Sequence, residues 1–415
     1  LLEFHYLHII FKYQVHDINN AEQILKEVEL STMVPMNALG LEAYEKETFT
    51  HVRHLLFGWS TGWNNVLQIG LYQKGPDLSE VGSTWIENLV GMSALRPFNS
   101  SDLFALGGEQ AFFSTTWPDK EHTDGRIWSI PWLLDTRVIH YRRDLLKQAR
   151  IDPATAFTTP EALYDTLARL QAAGIPYPLA VPTGGLTLHG AASFVWGRGG
   201  SFRSEDYKRI TLVEPEARQG LYDYFRLHRF IHPGGRGLDY AGADDLYFRH
   251  GAAVLLSGQW VLQTLQTNPS IPKEVVRNNA CAKIPGVPYV GGTHLVIWRH
   301  SLHDDAAMQL IAYLTSPPVL EQVYRVAGNF PARIEALNAK TFSADPSLEV
   351  IGQSIRSGMT LRAGRLWAGI EMRLSGVFEG LWTDLLENPE LDLKGQIEQR
   401  VRQLATRLER TLLAN

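Results

Sequence analysis

The stretch Gly125 to Leu146, GRIWSIPWLLDTRVIHYRRDLL, decides how the rest of the chain is read. Its apolar run Val138 to Tyr141 is short and bounded by charged residues, which predicts a strand. Upstream, Trp132 follows Pro131, so its ring belongs to a turn and not to a long apolar run. Asp135 and Arg137 stand two residues apart, a spacing at which a carboxylate either pairs with its neighbour or turns to a ligand. Runs of the same short apolar kind recur at Ala253 to Ser257 and Leu295 to Trp298.

Working outward, the N-terminal part reads as β-α-β-α-β. Leu2 to Ile10 alternates as a strand, a helical stretch ends near Lys46, and Phe49 to Trp59 reads as a second strand. Asn64 to Gln73 carries Val66, Ile69 and Gly70 at helical spacing, and a third strand starts after Gly75-Pro76-Asp77. Thr159 as N-cap, Pro160 at the first helical position and Gly174 at the stop bracket a helix bearing Leu163, Leu167 and Leu170 on one face. Asp304 to Leu314, the segment after Pro317-Pro318 and the segment from Gln396 are amphipathic helices of the same type. Helices and strands intermix throughout, so the fold class is α/β.

Length and composition narrow the function. A chain of 415 residues exceeds one compact core and predicts two large lobes. Hydrophobic residues at 45% and charged residues at 20% are ordinary for a globular protein. A formal charge of −5 offers no basic field for nucleic acid or an anionic membrane. No apolar run approaches the roughly 20 residues of a membrane span, so no membrane insertion is expected. The start at Leu1 fits a processed export substrate. The single cysteine, Cys281, excludes an internal disulfide and reads as a small buried residue. The pairs His51/His54 and His228/His232 lack a third ligand, so neither zinc nor any other metal or cofactor is expected. Nucleophile-elbow, P-loop and dinucleotide motifs are absent from the sequence.

Four segments in order carry a resemblance. They are Tyr44 to Thr48 with Gly75-Pro76-Asp77 and Gly82-Ser83-Thr84-Trp85; Gly125 to Trp132 continued through Leu146; Gly251 to Trp260; and Gly291-Gly292 running on to Gly328-Asn329-Phe330-Pro331-Ala332-Arg333. Together they resemble the extracellular solute-binding proteins of sugar importers, the maltose-binding type. His16 to Met36 departs from that pattern as a longer polar insertion, and the match past Pro346 is loose.

The resemblance implies a type II periplasmic-binding-protein-like fold, two doubly wound α/β lobes joined by a hinge. It implies chain crossings near Pro131 to Asp135, Lys283 to Pro285 and Ala327 to Phe330. Residues 1–132 with 285–327 would form one lobe, and 133–284 with 328–415 the other. It further implies a monomer at the periplasmic or extracellular face, a sugar or oligosaccharide in the cleft, and the permease subunits of an ABC transporter as partners.

Sugars need flat aromatic platforms beside directional polar groups. The candidates are Trp85, Trp132 and Trp260, whose turn context favours ligand contact over core packing, and Trp196 and Trp367, for which packing is equally expected. Asp135 is the foremost polar candidate, with an ion pair to Arg137 as its alternative, and Arg137 is itself a candidate ligand contact. Ser83 and Thr84 sit at the carboxyl end of the third strand, where open α/β sheets bind ligands. Gly291 and Gly292 permit close backbone approach or merely a tight turn, and Glu371 lies one helical turn from Trp367. Other solutes, such as a polyol or sugar phosphate, and a glycoside hydrolase with two facing carboxylates are the competing readings; the sequence shows no compact acidic motif for the latter.

Overall fold

A computed structural model describes residues 26–117, 125–338, 342, 345–361 and 366–413. The strand expected at Leu2 to Ile10 lies outside them. The first described strand is β1 (Lys26–Thr32), inside the segment read as an insertion. It pairs in parallel with β2 (Thr50–Leu56) and β3 (Leu78–Gly82), joined by α1 (Trp59–Tyr72), which gives the parallel crossover order that the sequence predicts. A short helix α2 (Ile86–Gly91) follows the turn after β3.

The organising element is β4 (Ile130–Arg142), buried along nearly its whole length. A strand covered on both faces reads as continuous apolar sequence, yet only Val138 to Tyr141 stood out as one. Pro131 obscured the rest, because it cannot donate to a ladder. Here it sits where the register shifts between Pro131 and Leu133, a place that tolerates it.

From Ile130 to Thr136, β4 pairs antiparallel with β8 (Val290–Ile297), which continues to β3, while β9 (Phe330–Pro331) pairs with Leu133 and Leu134. From Arg137 onward the same strand pairs with β6 (Val254–Gly258) and β7 (Asn279–Lys283), and β5 (Leu179–Ala180) adds to β6 in parallel. One strand therefore belongs to two sheets and changes hands between Thr136 and Arg137.

Each sheet has its own core. Around the first lie Leu30, Leu78, Trp132, Leu295 and the helices α8 (Asp304–Leu314) and α9 (Pro317–Ala327). Around the second lie α3 (Pro160–Ala172), α4 (Leu188–Gly197), α5 (Pro215–Phe225), α11 (Trp367–Glu387) and α12 (Leu393–Leu413). There too are α6 (Tyr240–Arg249) and α7 (Trp260–Thr267). The predicted cap of α3 is present, with Thr159 Oγ1 accepting from the Ala162 amide at 3.1 Å.

The chain returns to the first sheet between β7 and β8. The third passage, expected at Ala327 to Phe330, falls later. Phe330 and Pro331 are still in the first sheet, and α10 (Pro346–Ser357) beyond them packs against β7 of the second sheet and against β4.

Candidate functional site

The point where β4 changes sheets gathers polar and aromatic side chains from six segments. Arg137 is the hub, its side chain only 3% exposed. Its Nη1 donates to Asp135 Oδ2 at 2.6 Å, Nη2 donates to His189 Nδ1 at 2.9 Å, and Nε donates to the Tyr240 hydroxyl. The guanidinium carbon lies 4.6 Å from the ring centre of Tyr240 and 5.2 Å from those of Trp260 and Tyr289. Burial works against its charge, but Tyr240, Asp135 and Tyr289 outweigh that and hold its pKa above the ordinary value. Since His189 Nδ1 must accept, the neutral ring carries its proton on Nε2, which lies 3.8 Å from Glu371 Oε1.

Around this hub the groups are orientated in turn. Trp260 donates Nε1–H to Asp244 Oδ2 at 2.9 Å, and Ser257 donates to Asp244 Oδ1 at 2.6 Å. Burial pushes the Asp244 carboxyl up to about 6 in spite of those two donors. His189, Tyr289 and Trp196 form a column, with centroids 4.4 Å apart for the first pair and 6.4 Å for the second, and planes 12° and 8° from parallel. Gln259 fastens the strand itself, accepting from the Thr136 amide at 3.0 Å and donating to the Leu134 carbonyl at 3.2 Å.

Several expected residues meet here, namely Asp135, Arg137, Trp260, Trp196, Glu371, Gly291 and Gly292. Asp135 pairs across the ladder with Gly291. A Cβ on Gly291 would lie 2.4 Å from the Tyr289 hydroxyl and 2.7 Å from Asp135 Oδ1, and one on Gly292, at φ +150°, would lie 2.1 Å from the Leu133 carbonyl. Their glycines serve strand approach, not a tight turn. Asp135 retains 24% side-chain exposure, which leaves part of the carboxylate available. Trp260 is half-buried, whereas Trp196 keeps only 8% of its surface, inside the aromatic column.

Ser83, Thr84 and Trp85 form a separate short turn at the carboxyl end of β3, and Trp85 leans on Trp63 with centroids 5.6 Å apart. The helix α11 from the second core lies against this turn and against α2, so the two halves of the molecule approach each other there.

Three expectations are corrected. Trp132 has no exposed surface and donates its indole N–H to the Leu314 carbonyl at 3.0 Å, so it fills the first core. Trp367 is 1% exposed and also interior. Arg137 holds the site together, and its Nε, Nη1 and Nη2 all have acceptors within the protein. His189, Tyr240, Asp244 and Tyr289 were missed, because they sit on separate elements with no shared motif.

The histidine pairs have other duties. His51 meets Glu45 and His54 the Val34 carbonyl, while His228 lies between the carbonyls of Phe225 and Pro389. Among the described residues no group of three or more His, Cys, Asp or Glu is placed to hold a metal ion. Burial pushes the Cys281 thiol up to about 12, far from a reactive thiolate. Among the same residues no helix is long and apolar enough to cross a membrane.

The family model for bacterial extracellular solute-binding proteins matches residues 30–321. The chain belongs to that family. No curated protein matches this solute-binding protein. Solved structures similar to it include an ABC-transporter solute-binding protein of Thermotoga lettingae bound with α-D-tagatose, 19% identical with a TM-score of 0.78, the match covering 93% of this chain and 100% of the other. The sugar-binding protein MalE of Xanthomonas citri is 19% identical with a TM-score of 0.76, covering 94% and 98%. Maltose-bound MalE3 of T. maritima is 17% identical with a TM-score of 0.77, covering 91% and 98%. At these identities the likeness establishes the two-lobed fold of the solute-binding protein.

Proposed function

We propose that this solute-binding protein captures a neutral mono- or oligosaccharide between its lobes outside the cell membrane, as a monomer, and presents it to the permease subunits of an ABC transporter. The observation that carries the reading is a partly exposed Asp135 carboxylate, fixed by Arg137, beside the half-buried edge of Trp260. An apolar ring face and a carboxylate that accepts from hydroxyls are the two things a pyranose needs at once.

Trp85, Ser83 and Thr84 supply the facing surface from the first lobe, with Glu371 and Trp196 contributing at the hinge side. Binding closes the lobes about the point where β4 changes sheets. The chemistry disfavours a phosphate, because the buried guanidinium already has Asp135, Tyr240 and His189 for partners. Hydrolysis has no support in the site, since Asp135 is engaged by Arg137, Asp244 by Ser257 and Trp260, and Glu371 lies 3.8 Å from His189. The bound sugars named for structurally similar proteins, tagatose and maltose, fit this reading.

The test is a thermal-shift screen across neutral sugars, since a solute that binds only the native protein raises its melting temperature by mass action. A shift with a saccharide that disappears in Trp260→Ala supports the reading. No shift with any saccharide, or a full shift in that variant, defeats it.

A further inference from the structure

The two C-terminal helices leave a basic groove that shares no lining residue with the site around Arg137. Only the short turn Asn388 to Asp392 separates α11 from α12, so the helices run antiparallel. Arg400 crosses between them, donating to Asp384 Oδ2 and passing 3.4 Å from where a Cβ on Gly380 would lie. That register sets Arg373, near the start of α11, opposite Arg407, near the end of α12. The groove measures about 570 Å³. Arg373, Arg400 and Arg407 line it together with Gln396, Gln399 and Gln403, and among the described residues no carboxylate does.

The acids of the two helices are turned elsewhere. Glu371 lies 3.8 Å from His189, Glu379 Oε2 faces the open side of Gly185, and Glu387 pairs with Arg236. Glu398 pairs with Arg218 and Arg402, Glu409 accepts from the Ile210 amide, and Asp384 is held by Arg400. In a chain of formal charge −5 the groove is therefore a local reversal of sign. Arg373 is exposed and makes no hydrogen bond or ion pair among the described residues, and neither do Gln399 and Gln403.

Guanidinium groups call for oxyanions. Three features favour a peptide carrying carboxylates over a phosphate. The lining of α12 from Gln396 to Arg407 extends over about 16 Å, which strings the charges along a line, whereas a phosphate gathers its donors around one point. Glutamine amides both donate and accept, which suits the N–H and C=O groups of a peptide, while a phosphodiester only accepts. The floor is apolar at Val377 and Leu404, and beside them a Cβ added to Gly376 would meet no atom within 4 Å.

We propose that this groove docks an acidic segment of a partner protein, with carboxylates on the three arginines and an apolar side chain over Val377 and Leu404. Its length takes about three helical turns or five extended residues. The helix α11 also carries Glu371 beside His189 and leans on the Ser83 to Trp85 turn, so a partner held in the groove takes hold of a helix that touches both lobes. A transporter subunit presenting such a segment is the kind of partner it fits.

The experiment is fluorescence anisotropy of the full chain with a labelled synthetic peptide of about three helical turns, in which pairs of Glu alternate with single Leu, at low ionic strength. The wild type binds this peptide, and binds a version with Ser for Leu more weakly. Arg373→Glu weakens the Glu/Leu peptide about 10-fold or more. Gly376→Leu does the same by filling the open space without altering charge. It also favours the helix, and so serves if the charge reversal disturbs folding. No binding by the wild type, equal binding of the Ser peptide, or binding by both variants within about twofold of wild type overturns the proposal. Tripolyphosphate or phosphatidylglycerol vesicles that bind where the peptide does not, and are lost in Arg373→Glu, overturn it in favour of a phosphate site. A chain that binds no saccharide defeats the sugar reading and leaves this docking site standing.

Discussion

Arg137 and Arg203 are both buried, both on the second-lobe side of the molecule, and both stacked on tyrosine. Arg137 gives donors to Asp135, Tyr240 and His189, and its charge is stabilised; Arg203 keeps two donor atoms unspent, and its charge is destabilised. The same residue type is in one place a strut and in the other a cation whose buried donors are left unmatched. Burial alone does not separate them; the inventory of acceptors does.

The largest expected effect tests the strut. Arg137→Met leaves Asp135 buried in part without its cation and should cost about 3–5 kcal/mol in denaturant unfolding. A loss below about 1 kcal/mol would mean that the network relaxes and is no strut. Next comes the strand crossing beside it. Gly292→Ala places a methyl against the Leu133 carbonyl at positive φ and should cost about 2–3 kcal/mol in the same assay.

A third prediction concerns the second layer of that strut, Asp244, through its pH dependence. Its folded pKa of about 6 lies above the ordinary carboxyl value, so the native state binds the extra proton. Its contribution is fully present below the unfolded pKa, near 3.9, and is lost as pH rises through about 6. Stability of the wild type minus that of Asp244→Asn should therefore fall by on the order of 2–3 kcal/mol from about pH 4 to 7. The difference is the quantity to follow, because His140 and His294, depressed by burial to about 4 and about 3, lose stability in the opposite direction as pH falls. A flat difference would show that Asp244 is hydrated.

The smallest effect sharpens the contrast from its other side. Arg203→Met should change unfolding stability by less than about 1 kcal/mol, since a guanidinium with unspent donors contributes little to the fold. A loss as large as that of Arg137→Met would erase the distinction.

Much of the framework was legible. Val138 to Tyr141 falls within β4, Ala253 to Ser257 and Leu295 to Trp298 match β6 and β8 to within one residue, and the punctuation around Thr159, Pro160 and Pro317-Pro318 marks real helix starts. These signals are local, a period or a cap within a few residues. The site is not. Trp132 and Asp135 lie three residues apart on one strand, yet one ring fills the first core while the carboxylate keeps some surface, and neighbouring a proline or glycine says nothing of which face a side chain takes. His189, Tyr240 and Tyr289 reach Arg137 from points far apart in the chain, so only tertiary packing assembles them. Arg203 carried no motif, because its distinction lies in acceptors it does not have.

The strand held in common by both sheets has a mechanical consequence. In the proposed closure the two bodies are bolted to the ends of one short rod, which Gln259 and the Tyr289 carbonyl grip at Thr136 and Arg137. A few degrees at that fulcrum sweep the distant rims through a long arc. Leverage of this kind lets a modest rearrangement at the axle govern the width of the mouth.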